Sequence, residues 1–99
     1  MIRHMALYTL TAKAHEEGIA QVIEKLDRSV KSMVGKVPGL IHAEVSLNLA
    51  EDSPRDLVFY SEFEQWQDIA PYLKSEVHQA HVDMAACYVE NKEGIDVEI

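Results

Sequence analysis

Leu57-Val58-Phe59-Tyr60 sets four large side chains in a row. Along a strand successive side chains point to opposite faces, so Leu57 and Phe59 share one face and Val58 and Tyr60 the other. Both faces of such a strand have to be covered. A layer of helices can cover one face of the sheet that holds it. The second face needs another partner, because folded monomers rarely leave a large contiguous apolar patch in water. The simplest cover is a second copy of the same sheet, related by a two-fold axis.

The rest of the chain is consistent with that demand. Ninety-nine residues are enough for a single domain spanning residues 1–99 and leave no room for a second core. A domain of this size buries only roughly 60–68% of its unfolded surface, which makes a subunit partner attractive. Nine basic residues stand against seventeen acidic ones, a net charge of −8. Nucleic acid needs clustered Lys and Arg, and an anionic membrane surface needs a basic face, so neither is an expected partner. Cys87 is the only cysteine and can form no disulfide within the chain. With neither a signal-peptide pattern nor a membrane-length apolar run, a reducing, cytoplasmic setting is expected.

Residues 2–11 read as a first strand. From His15 to Val34 the apolar positions Ile19, Val22, Ile23, Leu26, Val30, Met33 and Val34 recur at the spacing of one helical face. Gly35, Pro38 and Gly39 stop that helix. Leu40 to Leu49 alternates as a strand, with Ile41, Ala43, Val45, Leu47 and Leu49 on one side. Asp56 to Phe63 is the third strand, after a loop at residues 51–54. A short helix through Trp66, Ile69 and Tyr72 follows, with Trp66 as its anchor and Pro71 as a bend or stop. A second helix runs from Ser75 to Val89, and Gly94 to Ile99 alternates as a last strand. The order is β-α-β-β-α-β, the ferredoxin-like plan of an α+β fold with a four-stranded antiparallel sheet. Strands one and three, apolar on both faces, belong at its centre.

Four phrases in this order carry a likeness: Ile2-Arg3-His4, Val37-Pro38-Gly39-Leu40, Asp56-Leu57-Val58-Phe59-Tyr60-Ser61-Glu62-Phe63, and His78-Gln79-Ala80-His81-Val82. From end to end the chain resembles the stress-responsive dimeric α/β-barrel family. The resemblance implies a homodimeric barrel enclosing a pocket between open sheet faces. It also implies relatives that are mostly uncharacterised bacterial and plant proteins, some of them cofactor-independent polyketide cyclases. In such members an early-strand His and the last His of a His-Pro-x-His stretch line the pocket, and those map onto His4 and His81. The chain departs from the pattern at Gln79, where the family has Pro, and in a longer segment between Tyr72 and His78.

His78 and His81 are three apart on a helix, so both can approach one site. The helix is apolar, and burial lowers an imidazole pKa, leaving the neutral ring a general base requires. The alternative for each is a packed histidine with satisfied nitrogens. His4 shares a face of the first strand with Tyr8. The apolarity of both faces leaves open whether that face meets the helices or the cavity, and the resemblance favours the cavity. Tyr72 can donate to a substrate carbonyl, although a Tyr at a helix end more often packs its ring and leaves its hydroxyl in water. His81, His4 and Tyr72 are therefore the candidate catalytic residues, and Tyr8, Leu57, Phe59, Ser61 and His78 the expected cavity lining. His15 and His42 read as solvent-facing.

No third ligand accompanies the histidine pair at metal-binding spacing, and no nucleotide-binding or nucleophile motif occurs. Neither metal nor cofactor is expected. Three functions fit: a barrel binding a small hydrophobic or aromatic molecule, a cyclase-like enzyme with a histidine base, and a monooxygenase of the antibiotic-biosynthesis type on the same plan.

Overall fold

Strand β1 (Ile2–Leu10) runs through the sheet interior and hands the chain to α1 (Ala12–Glu17) at Thr11. The computed structural model describes all residues, Met1–Ile99. The Thr11 hydroxyl accepts from Ala14 N–H at 3.3 Å and donates to the Cys87 carbonyl at 2.6 Å, capping α1 and tying it to the far end of the chain. The helix expected over residues 15–34 is two helices. Gly18, at φ 111°, separates α1 from α2 (Ile19–Lys31). That backbone conformation is costly for any residue with a Cβ, and the apolar spacing continued across it too smoothly to reveal the break.

Strand β2 (Leu40–Leu47) and strand β3 (Leu57–Phe63) follow. A single turn of 3₁₀ helix (Trp66–Asp68) then leads into α3 (Ile69–Lys74) and α4 (Glu76–Ala85), and β4 (Val89–Glu98) closes the chain. The sheet is antiparallel with the order β2-β3-β1-β4, so the two doubly apolar strands are central as expected. The last strand starts five residues earlier than the alternation indicated, and α4 stops at Ala85. Asn91, at φ 58°, and a register shift between Leu7 and Thr9 break the pattern that would have marked the earlier start. Trp66 does not anchor its turn; it is 60% exposed.

All helices pack on one face of the sheet. That face carries Ile2, Ala6 and Leu10 of β1, Leu57 and Phe63 of β3 and Ala43 and Val45 of β2, against Val22, Leu26 and Val30 of α2. Burying side chains such as Leu26, Leu57 and Phe63 contributes roughly 1.5–3 kcal/mol each. In β2 a register shift between Leu40 and His42 turns Ile41 outward, so the buried residues are Leu40, Ala43 and Val45 rather than the strict alternation from Ile41. The edge of β2 is guarded from α2: Asp27 accepts the Val45 N–H at 2.9 Å, removing a donor that another strand could pair with.

The opposite face of the sheet has no cover from its own chain. Cross-strand neighbours Leu7 and Val58, Met5 and Tyr60, Met5 and Ile95 form one apolar surface there. Ile95 is 42% exposed. No helix is long and apolar enough to cross a membrane.

Candidate functional site

The cavity that gathers the histidines lies between the sheet and the helices of one protomer, not in the layer between two sheets. The β1 face bearing His4, Ala6 and Tyr8 looks toward the helices, and parity carries Phe59 and Ser61 of β3 with it. Small residues leave the gap: Ala6 and Ala43 on the sheet and Ala85 on α4 are buried but do not fill the space between layers. What remains is a cavity of about 270 Å³, mostly apolar, with His4, Tyr8, Phe59, Ser61, Tyr72, His78 and His81 in its wall. Leu57 does not line it. That side chain is fully buried in the core at the other end of β3, where Leu47 is its cross-strand partner.

Ser75 sets the relation between α3 and α4. Its hydroxyl donates to the Tyr72 carbonyl at 2.8 Å and accepts the His78 N–H at 3.1 Å, so one side chain ends the first helix and caps the second. Across this junction the Tyr72 and His78 rings pack in a tilted arrangement with centroids 4.5 Å apart. Gln79 points away, bonding Asp83 at 2.8 Å on the solvent side of α4.

Tyr72 is buried beside Phe63, centroids 5.1 Å apart. Burial, with Tyr8 nearby, pushes its pKa up to about 12, and burial likewise raises Tyr8. Both phenols therefore stay protonated and can donate. His4 meets the Tyr72 ring edge at 6.1 Å, and its Nδ1 pairs with the Asp96 carboxylate. The register of β4 against β1 supplies that partner, setting Asp96 opposite His4.

His81 is 7% exposed and stands 5.4 Å from Phe59, ring to ring. Burial, with His78 adding like-charge repulsion, lowers its imidazole to about 4. The ring is thus neutral across the physiological range. Its Nδ1 is held by Ser29 Oγ of α2 at 2.8 Å, which leaves Nε2 as the nitrogen available to a molecule in the cavity. Burial also lowers His78, opposed by a backbone hydrogen bond at Leu73, and its Nδ1 is buried. The structure so brings His4, Tyr72, His78 and His81 around one space, with Tyr8, Phe59 and Ser61. His15 and His42 lie exposed, away from it.

Ser29 and Asp96 were not among the residues picked out from sequence. Ser29 could have been: seven residues after Val22 and three after Leu26, it is a polar side chain on the buried stripe of α2. Asp96 had no such signal, since only the strand register places it. No group of histidine, cysteine and carboxylate side chains is arranged to hold a metal ion.

An antiparallel four-stranded sheet in this order, with helices on one face, is the ferredoxin-like α+β fold. The chain belongs to the Stress responsive A/B Barrel Domain family, whose profile matches residues 2–99. A search of curated proteins found no match. Among solved structures, it is similar to a dimeric protein of unknown function with a ferredoxin-like fold from Bacteroides fragilis (22% identity, 99% of this chain and 95% of that one covered, TM-score 0.82). It is also similar to a Dabb family protein from Mesorhizobium loti (22% identity, 99% and 95% covered, TM-score 0.76). A structure described as an antibiotic biosynthesis monooxygenase shares the fold at 14% identity (100% and 98% covered, TM-score 0.72).

Proposed function

We propose that this chain works as a homodimer, each subunit of which binds a small aromatic or hydrophobic molecule in its helix–sheet cavity. The observation that carries the reading is an apolar cavity into which a few polar side chains converge: Tyr8, Tyr72, His78 and His81 all line it. Sites for small molecules are typically of this kind, apolar with a few placed polar groups. The bare apolar sheet face, together with the dimeric state of similar proteins, supports the dimer. The unpaired Cys87 suits a reducing, cytoplasmic setting.

A second reading is favoured by His81 itself. A neutral imidazole anchored through Nδ1 and open at Nε2 is the arrangement of a general base, and the phenols of Tyr72 and Tyr8 are donors for a developing enolate. On this reading the bound molecule is a carbonyl compound with an acidic C–H, and the reaction is an enolisation or ring closure.

A thermal-shift screen of the purified dimer against aromatic and polyketide-like compounds tests the binding reading, since a ligand adds RT ln(1 + [L]/Kd) to stability. A ligand should raise Tm, and Phe59→Ala should weaken its effect. If no such compound raises Tm, the reading fails. Product formation from a hit, lost in His81→Ala with the dimer still folded, would add the catalytic reading. Product formation requiring oxygen would instead point to monooxygenase chemistry.

A further inference from the structure

We propose that Ser29 is a proton relay through the helix layer, joining His81 to solvent without passing through the ligand cavity. The inference rests on the general-base reading of His81 and concerns how such a base would be held and discharged. Two spaces meet at this serine. On the inner side its Oγ is 2.8 Å from His81 Nδ1, and His81 lines the cavity. On the outer side Ser29 lines an open polar groove between α2 and α4, with Glu24, Lys25, Arg28, Ser32 and Met84. A hydroxyl can accept one hydrogen bond while donating another. Ser29 can therefore accept from Nδ1–H and donate to water in the groove. That arrangement keeps the proton on Nδ1 and turns the Nε2 lone pair toward the cavity.

The surroundings make such a path useful. An imidazolium at His81 would sit beside His78, with Phe59 against its ring, and no carboxylate pairs with it. The only hydrogen-bond partner its ring has in the chain is Ser29. When Nε2 takes a proton from an acidic C–H, the electron pair of that bond stays on the ligand as an enolate and the ring becomes a cation. Nδ1 then passes its proton to Ser29 Oγ while the serine hydroxyl proton moves to groove water. The ring is left neutral with its proton on Nε2, where it can be returned to the enolate. That return is coupled to a proton moving inward from groove water through Ser29 to Nδ1, so the ring passes back through no imidazolate and ends neutral with its proton on Nδ1. Each cycle conserves protons and needs no other reactant. Ser29 acts only through His81 and is a positioning residue.

The test reads the ligand-free, full-length dimer, labelled with ¹⁵N at histidine, by the nitrogen shifts and N–H couplings of His81 at neutral pH. The wild type should carry its proton on Nδ1. Ser29→Ala should shift the tautomer ratio about five- to tenfold toward Nε2–H, the loss of one ordinary hydrogen bond, and slow exchange of the Nδ1 proton with water by a similar factor. Ser29→Thr, which keeps the hydroxyl, should restore both. A wild-type ring protonated on Nε2 would overturn the proposal even if Ser29→Ala did not fold. So would unchanged shifts and exchange in Ser29→Ala, or a Ser29→Thr protein that behaves like it. None of these readouts needs a ligand or turnover, so a fruitless ligand search would count against the functional reading and leave this result standing on its own.

Discussion

Replacing His81 by asparagine should remove a pH dependence of stability that the wild-type chain carries. In the folded protein burial, reinforced by His78, holds His81 near 4, well below the ordinary histidine value of 6.5. As pH falls below that ordinary value the unfolded chain takes up a proton that the folded chain refuses until much lower pH. Stability is therefore complete above the unfolded pKa and drains away between about 6.5 and 4. A shift of that size is worth ~3 kcal/mol at full development, and solvent screening of a ring that is not wholly enclosed lowers it to ~2 kcal/mol. Between pH 7.5 and 5.5 the loss should be ~1 kcal/mol, and both values stay above the isoelectric point of about 4.9, where the chain is least soluble. Urea unfolding at one fixed protein concentration measures it, since a dimer's midpoint depends on concentration. Asparagine keeps a polar partner for Ser29 but does not titrate, so the difference between the two proteins isolates His81. His78, lowered in the same direction, contributes to both. Equal pH dependence in wild type and His81→Asn, or an NMR titration placing His81 at 6.5, would refute the argument that desolvation governs this ring.

Two further outcomes separate the faces of the sheet. Leu7→Asp, on the bare face beside Val58, should convert the dimer to monomer in light scattering while leaving far-ultraviolet circular dichroism unchanged; an unaltered dimer mass would put the interface elsewhere. Leu57→Ala, in a fully buried position, should cost about 2–5 kcal/mol in denaturant unfolding at constant oligomeric state, and a loss under 1 kcal/mol would show that the core closes around it.

The central position of β1 and β3 could be read from composition, because only a strand buried on both faces repeats large apolar residues without alternation. The pairing of His78 with His81 could be read from helical periodicity. Boundaries governed by single backbone conformations could not: Gly18 breaks a helix across which the apolar spacing continues, and the irregularities near Ile41 and Asn91 shift strand register in a way that local alternation does not report.

What the sequence determined alone was which side chains must hide and that one copy of the sheet leaves a face bare. Those follow from local periodicity, which every short stretch carries within itself. Which face holds the cavity is another matter. Val58 with Tyr60 and Leu57 with Phe59 are equally apolar pairs, and nothing local ranks them. The packing of α2 and α4 decides it, turning Phe59, His4 and Tyr8 toward the helices and leaving Met5 and Leu7 outside. The same packing sets Ser29 against His81, 52 positions apart in the chain, and strand register sets Asp96 against His4. Partners so distant in sequence meet only through tertiary geometry, and that geometry is what turns buried histidines into a site.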